Sequence, residues 1–275
     1  MKNRVTILVL LLSAVALSAQ DKPFFDDIPY YIENLSVFEL NQEDGRSYHI
    51  PEKSISLNGD WKFRYAESPG EIPSDFFRPG FNDRKWDNIP VPSNWEMQGF
   101  GEPLFRNMTT PFPNTLPSTM RDSLEKVVDG RLPASEMEKR WARYQLSGVS
   151  RDPFAVEVPY TPDFNPTGAY RTSFMIPSSW KGDRIFLRLE KVASASFIWV
   201  NGQQVGYNEG AQEPAEYDIT GFVKTGKNSL SVLVLKYSDG YYLETQDYWR
   251  LAGIFDDVWV FATPQARIFD WQVIT

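Results

Sequence analysis

The side chains that most often act as nucleophiles or metal ligands are nearly absent from this sequence. It contains no Cys and a single His, His49, which lies in a polar stretch near the N-terminus. Zinc and other transition-metal sites are built mainly from Cys and His, so the usual ligand sets are excluded. A Ser–His or Cys–His nucleophile is nearly excluded for the same reason. The chemistry that remains is that of carboxylates, amides, hydroxyls and aromatic rings.

Aromatic side chains and acidic charge dominate the composition. The 275 residues include 9 Trp, 13 Tyr and 19 Phe, which suit a β-sandwich core and also surfaces that stack on sugar rings. For any single ring, core packing is the default interpretation. The 36 acidic and 28 basic residues give a net charge of −8, without a basic stripe. We therefore expect no nucleic-acid partner, because phosphate binding needs clustered Lys and Arg.

Residues 1–19 have the pattern of a secretory signal peptide. Lys2 and Arg4 precede an apolar run over 5–17, and small residues end at Ala19. Cleavage after Ala19 is preferred, and cleavage after Ala16 is the alternative. The apolar run is too short for a membrane span, and the lack of Cys excludes a lipid-modified N-terminal cysteine. The sequence thus predicts an exported protein, periplasmic or extracellular, with no membrane anchor.

Period-two alternation and turn signals indicate an all-β fold. After a predicted N-terminal arm over 20–55, Trp61, Phe63 and Tyr65 alternate with polar residues, as in a half-buried strand. Asn201-Gly202 is a strong signal for a type I′ hairpin. Further strand-like runs cover 170–176, 184–189, 196–200, 229–237 and 257–262. We expect an antiparallel jelly-roll β-sandwich over 56–265.

Two segments depart from this pattern. The stretch from about 116 to 155 is predicted to be a helical insertion, since Ser135 and Glu138 form a capping-box pattern and Gly148 is a natural stop. Residues 266–275 begin a further strand-like run that has no following partner in this sequence.

Six segments carry a resemblance to a known family. They are 57–63 (LNGDWKF), 91–100 (VPSNWEMQGF), 103–107 (PLFRN), 165–170 (NPTGAY), 199–207 (WVNGQQVGY) and 238–250 (SDGYYLETQDYWR). In this order they resemble the sugar-binding N-terminal domain of glycoside hydrolase family 2, in its β-galactosidase branch. The resemblance covers nearly all of 24–275 apart from the helical insertion.

The resemblance implies that the catalytic machinery lies outside this chain. In the family an immunoglobulin-like domain follows, and then a (β/α)₈ barrel that carries two catalytic Glu residues and a magnesium ion and performs a retaining hydrolysis. Such a barrel needs at least about 200 residues, for which the sandwich leaves no room. We therefore interpret 266–275 as the start of a truncated immunoglobulin-like domain. The chain alone is expected to be inactive, and a homo-oligomer is a possible partner arrangement.

Two residues receive a role from the resemblance. In the family, an Asn in the motif matched by 104–107 lines the galactose subsite, and an Asp in the motif matched by 246–250 contacts galactosyl hydroxyls and helps ligate sodium. These roles fall on Asn107 and Asp247. Amides and carboxylates make directional bonds to vicinal hydroxyls, and hard oxygen ligands suit such a cation. Glu244 and Trp249 are secondary candidates, because they share the second loop.

Simpler explanations exist for both residues. Asn107 could be a turn residue, since Asn is common in loops. Asp247 could pair with Arg250 in a solvated contact. One departure concerns Asp256, which stands where the family commonly has Arg, and it puts contacts to later domains in doubt.

Three functional hypotheses remain open. The first is the opening domain of an exported β-galactosidase; the β-glucuronidase and β-mannosidase branches share the sandwich, but the 238–250 loop has the galactosidase pattern. The second is a stand-alone, lectin-like carbohydrate-binding module. The third is a structural or assembly role, through an exposed apolar face.

Overall fold

The computed structural model describes residues 28–32, 34, 36–47, 49–101, 103–106, 165–244 and 248–274. The predicted signal peptide over 1–19 and the predicted helical insertion over 116–155 lie outside these residues. The helices are α1 (Ile28–Ile32) and α2 (Asp239–Glu244), and the strands are β1 (Glu39–Leu40), β2 (Ser54–Ser56), β3 (Gly59–Ala66), β4 (Asp87–Val91), β5 (Leu104–Arg106), β6 (Thr167–Ile176), β7 (Arg184–Leu189), β8 (Val192–Ala193), β9 (Ala195–Val200), β10 (Gln203–Asn208), β11 (Ala215–Asp218), β12 (Gly226–Leu235), β13 (Tyr248–Arg250), β14 (Gly253–Ile254) and β15 (Val258–Thr263). Single 3-10 turns occur at Pro69–Glu71, Trp95–Gln98 and Ser178–Trp180.

Two antiparallel sheets pack face to face. The larger has seven strands in the order β1-β10-β9-β12-β6-β3-β4, and the smaller has four in the order β11-β7-β15-β2. The chain passes repeatedly from one sheet to the other, since β6, β9, β10 and β12 belong to the larger sheet and β7, β11 and β15 to the smaller. The prediction of an all-β, antiparallel sandwich of the jelly-roll type is confirmed.

The space between the sheets holds the main core. In β3, Trp61 and Phe63 are buried and Arg64 is exposed, which is the alternation that the sequence predicted. The same core cluster includes Ile198 from the larger sheet and Val260 from the smaller. Period-two patterning therefore directs one face of each strand inward.

The larger sheet is covered on its other face as well. Every residue of β9 is buried, and so are the last six residues of β12. The residues that point away from the main core, such as Phe197 and Trp199, pack against α1 and against the loop that contains Phe76. Two-sided burial explains why β9 reads as a continuous apolar run instead of an alternating one.

The hairpin between β9 and β10 turns at the predicted dipeptide. Asn201 has φ of 51° and Gly202 has φ of 83°, as a type I′ turn requires. The Asn201 side chain also donates a hydrogen bond to the carbonyl of Phe222 at 2.8 Å. The Asn201 side chain therefore ties the turn to the segment that follows β11. The predicted hairpin is confirmed.

Arginine–carboxylate pairs fasten the N-terminal arm to the smaller sheet. Arg46 pairs with Glu216 of β11 at 2.7 Å, and Arg188 of β7 pairs with the same carboxylate at 3.3 Å. The C-terminal residues run beside the arm, where Ser47 donates its backbone N–H to Asp270 at 2.9 Å. Residues 264–274 contain no strand, so the strand-like run expected there stays unpaired in the described residues.

Gly206 in β10 marks a close approach between the arm and the sandwich. A Cβ at this position would lie 2.6 Å from the carbonyl oxygen of Leu40 and would overlap the Tyr217 ring. We expect Gly206→Ala to lower the free energy of unfolding by about 1–3 kcal/mol, as overpacking in a tight core does. Urea denaturation measures this change.

The matched control is Gly221→Ala, because Gly221 is exposed and a methyl group added there would have no neighbouring atom of the described chain within 4 Å. Its unfolding free energy should stay within about 0.5 kcal/mol of the wild type. Equal effects of the two substitutions would contradict the close approach at Gly206.

Candidate functional site

A short ribbon brings together the two chain segments that carry the predicted site residues. Strands β5 and β13 pair in antiparallel register, with Arg106 opposite Tyr248 and Leu104 opposite Arg250. Asn107 follows Arg106 directly in the sequence, and Asp247 directly precedes Tyr248. Both predicted residues lie outside the described residues. The two segments that they belong to therefore meet at the same end of one ribbon.

Helix α2 leads into this ribbon and is held at both ends by carboxylates. At its start, Glu209 accepts a hydrogen bond from the backbone N–H of Gly240 at 3.2 Å, and Ser238 accepts one from Tyr241 at 3.3 Å. At its end, Glu244 accepts a hydrogen bond from the N–H of Ala211 at 2.8 Å. The loop after β10 and the helix are thus fixed to each other, because unsatisfied backbone N–H groups at a helix start need such partners.

A buried ion pair anchors the chain on the other side of the ribbon. Lys236 Nζ lies 2.6 Å from Glu96 Oε1, with side chains 5% and 1% exposed. The second oxygen of Glu96 accepts the backbone N–H of Ala252 at 2.9 Å, and the carbonyl of Ala252 accepts the N–H of Trp95 at 3.0 Å. The segment that follows β13 is therefore locked to the turn at Trp95–Gln98.

Between α2 and β13 lies a cavity of about 290 Å³. Its walls combine a carboxylate, a guanidinium and an indole, from Glu244, Arg250 and Trp249. Arg250 is buried, and its guanidinium stacks 4.6 Å above the Tyr241 ring. Trp249 is 54% exposed. The two secondary candidates from the sequence, Glu244 and Trp249, therefore line one cavity.

A model of the glycosyl hydrolases family 2 sugar binding domain matches residues 54–145 and 134–264. The chain belongs to glycosyl hydrolase family 2. Among curated relatives, a β-galactosidase of Priestia megaterium is 32% identical over 261 residues, which are 89% of this chain and 22% of the relative. A β-galactosidase of Vibrio cholerae is 34% identical over 220 residues, or 80% of this chain and 17% of the relative. The chain thus spans about a fifth of the length of the curated relatives that it matches.

Solved structures of similar shape include two β-glucuronidases. One is from an uncultured Clostridium, with 19% identity and a TM-score of 0.47, covering 82% of this chain and 31% of the other. The second is Bacteroides uniformis β-glucuronidase 2, bound covalently to cyclophellitol-6-carboxylate aziridine, with 20% identity and a TM-score of 0.48, covering 77% of this chain and 18% of the other.

The environment of Glu244 in this family 2 domain disfavours its charged form. Burial raises the pKa of the Glu244 carboxyl, and the charge of Glu213 raises it further, while the hydrogen bond from Ala211 opposes the shift. The carboxyl group is therefore protonated at a higher pH than a free glutamate.

Metal-binding and membrane-spanning features are absent from the described part of the family 2 chain. No group of three or more His, Cys, Asp or Glu side chains is placed to hold a metal ion there. None of the described helices is long and apolar enough to cross a membrane. Asp256, the departure from the family pattern, lies 3.5 Å from Lys191 in a half-exposed pair.

Glu96 and Lys236 were given no role by the sequence, although Glu96 lies in one of the six family segments. The available signal was a lysine directly after the apolar run of β12, where a charged side chain needs a partner if the run is buried. Its partner lies 140 residues away in the sequence, and no spacing rule identifies a contact at that distance.

Removing one member of this ion pair should destabilise the domain strongly. We expect Lys236→Met to lower the free energy of unfolding by about 3–5 kcal/mol, because Glu96 then stays buried without a counter-charge. The double variant with Glu96→Gln should recover part of the loss, since glutamine is uncharged and still accepts the N–H of Ala252. Chemical denaturation at pH 7 gives both values.

The control is Lys53→Met, which breaks a pair of the same length on the surface. Lys53 lies 2.6 Å from Asp183 and is 50% exposed, so its loss should cost less than about 1 kcal/mol. Similar losses for Lys236→Met and Lys53→Met would refute an anchoring role for the buried pair.

The raised pKa of Glu244 predicts a pH-dependent effect of Glu244→Gln. A carboxyl whose folded-state pKa exceeds its unfolded value favours folding below the unfolded pKa, and this contribution is lost as the pH rises through the folded pKa. Glutamine avoids the loss, so the variant should melt at a higher temperature than wild type near neutral pH. The difference should shrink below about pH 4, the range of an unperturbed glutamate. Thermal melts at several pH values measure this difference in melting temperature, with the exposed Glu52→Gln as control. A difference that grows as the pH falls would contradict the prediction.

Proposed function

We propose that this chain is the non-catalytic, sugar-binding first domain of an exported β-galactosidase, a retaining hydrolase of terminal β-D-galactosides. The observation that carries the proposal is the pairing of β5 with β13, because the two segments with family-derived sugar contacts end side by side. The β-galactosidase names of the curated relatives, at 32–34% identity, support the choice of galactosides.

In this proposal, Asn107 and Asp247 contact galactosyl hydroxyls. An amide donates and accepts hydrogen bonds, whereas an ionised carboxylate only accepts them, so the two side chains together can fix the orientation of neighbouring hydroxyls. Asp247 also supplies a hard oxygen to a sodium ion, and this assignment rests on the resemblance alone. A magnesium ion belongs to the catalytic barrel of the family, and this assignment also rests on the resemblance.

The anchors around the ribbon support this role physically. The Glu96 carboxylate fixes the chain after β13, and Glu209 and Ala211 fix the helix before it. A binding group must be held within a fraction of an ångström to contribute fully, and rigid supports on both sides of a loop achieve this. Export is inferred from the signal-peptide pattern of residues 1–19.

Hydrolysis of chromogenic glycosides tests the proposal. Residues 20–275 should not cleave a β-galactoside, whereas a protein extended through the coding sequence that follows Thr275 should cleave it and leave a β-glucuronide intact. In the extended protein, Asn107→Ala and Asp247→Ala should each lower kcat/KM by about ten- to hundredfold, the value of a hydrogen bond to a charged or well-placed group.

The control variant is Asp75→Ala, which removes an exposed carboxylate in the loop before β4 and should leave kcat/KM unchanged. Turnover by residues 20–275 alone would place catalytic carboxylates in this domain and overturn the proposal. Cleavage of the glucuronide without the galactoside would assign the protein to another branch of the family. Sub-millimolar binding of galactose by residues 20–275 would favour the lectin-like module instead.

A further inference from the structure

The cavity between α2 and β13 has the properties of a ligand site of its own. Its volume of about 290 Å³ is close to the lower end of the range of about 300–1,000 Å³ for small-molecule pockets, and it suits a single ring. The lining residues that bear on its chemistry are Ser194, Gln212, Tyr241, Glu244, Trp249 and Arg250. It therefore offers donors, acceptors and a flat apolar surface.

Arg250 differs from the other buried arginines of the described chain in its lack of an ion pair with a described carboxylate. Arg171 lies 2.8 Å from Asp83, and Arg188 lies 2.8 Å from Glu190. Arg250 is 5% exposed, has no ion pair with any described carboxylate, and donates to the carbonyl of Tyr241 at 3.3 Å. Its Nε has no hydrogen-bond partner among the described residues.

A buried guanidinium without a counter-charge is costly unless oxygen atoms accept its hydrogen bonds. Stacking on Tyr241 compensates part of this cost. The cavity beside Arg250 is the place from which an oxygen-rich ligand could supply further acceptors.

Glu244 and Trp249 give the opposite wall a complementary character. One carboxylate oxygen of Glu244 accepts the N–H of Ala211, and no hydrogen bond of the described residues occupies the other. The Trp249 ring is 54% exposed at the cavity edge. A pyranose ring presents hydroxyl groups at its rim and an apolar face of C–H groups; the hydroxyls match the carboxylate and the guanidinium, and the apolar face matches the indole.

We propose that this cavity binds one pyranose ring of a neutral saccharide, as a contact site additional to the galactosyl subsite. The proposal shares with the proposed function only the class of ligand, since it is defined by Glu244, Trp249 and Arg250 and requires neither Asn107 nor Asp247. Glu244 and Arg250 line the same cavity with opposite formal charges, so a neutral sugar matches the wall without adding a net charge to it.

Saturation-transfer NMR on the purified protein tests this site with three probes: methyl β-D-galactopyranoside, lactose and methyl β-D-glucuronide. The two neutral sugars should bind in the millimolar range and more tightly than the glucuronide. Trp249→Ala should weaken their binding by about three- to tenfold, the value of one aromatic contact. Glu244→Gln should weaken it less, since the glutamine carbonyl oxygen can still accept the N–H of Ala211 and its NH2 group can donate to a hydroxyl.

Two comparisons separate this site from the galactosyl subsite. Trp271→Ala removes a tryptophan that is 59% exposed in the C-terminal segment, and it should leave binding unchanged. Asp247→Ala should retain the Trp249-dependent binding. Circular dichroism and melting temperature establish that each variant is folded.

Three results would overturn the proposal. They are no detectable saccharide binding, binding that Trp249→Ala leaves intact, and binding that only Asp247→Ala removes. The third result would leave the proposed galactosyl role of Asp247 in place. Conversely, Trp249-dependent binding together with normal galactoside hydrolysis by an Asp247→Ala extended protein would support the cavity and refute the role of Asp247.

Discussion

The carboxylate of Glu96 is the interaction on which the geometry of the candidate site depends. It is buried, so both of its oxygens need partners, and it finds them in Lys236 at 2.6 Å and in the backbone of Ala252 at 2.9 Å. These partners come from the end of β12 and from the segment after β13. Because a lone buried charge is far more costly than a lost surface contact, the three segments must stay together whenever the domain is folded.

This pair connects the sandwich core to the functional edge. Strand β12 is the central strand of the larger sheet, paired with β6 on one side and β9 on the other. Lys236 follows it directly and ties the end of this strand to the turn at Trp95–Gln98. The ribbon of β5 and β13 has only three residue pairs and could not define its own orientation. Its place in the molecule is therefore set by the core, through a buried ionic contact.

The regular parts of the fold were predictable from the sequence, because local periodicity and turn chemistry determine them. The alternation around Trp61 and Phe63 and the Asn201-Gly202 turn needed no information from elsewhere in the chain. The run predicted over 184–189 is strand β7, within the same bounds. These elements follow from backbone preferences that act over a few residues.

The supports of the site were not predictable in the same way. Helix α2 lies in a segment that was expected to be a loop. Glu209 accepts a backbone N–H at its start, and Ala211 donates its N–H to the Glu244 side chain at its end, from positions about thirty residues earlier. The cover on the outer face of the larger sheet comes from α1 in the arm, which showed no sustained periodicity. Contacts between distant segments decide both features, and a single sequence carries no signal for such pairs. The family motifs located the site by analogy, and Asn107 and Asp247 themselves stay predictions.

The partners of each buried or half-buried glutamate distinguish structural from ligand-facing roles in this domain. Glu96 has both oxygens engaged by the protein, and Glu209 accepts from Tyr207 and from Gly240. Both oxygens of each of these carboxylates therefore contact a side-chain or backbone donor of the protein. Glu244 uses one oxygen for Ala211 and stands in the wall of a cavity beside Arg250, which has no described carboxylate partner. Among the described residues, a donor and an acceptor thus have no protein partner at one place, next to an exposed indole, and this combination is the physical reason to regard the cavity as a site instead of a packing defect.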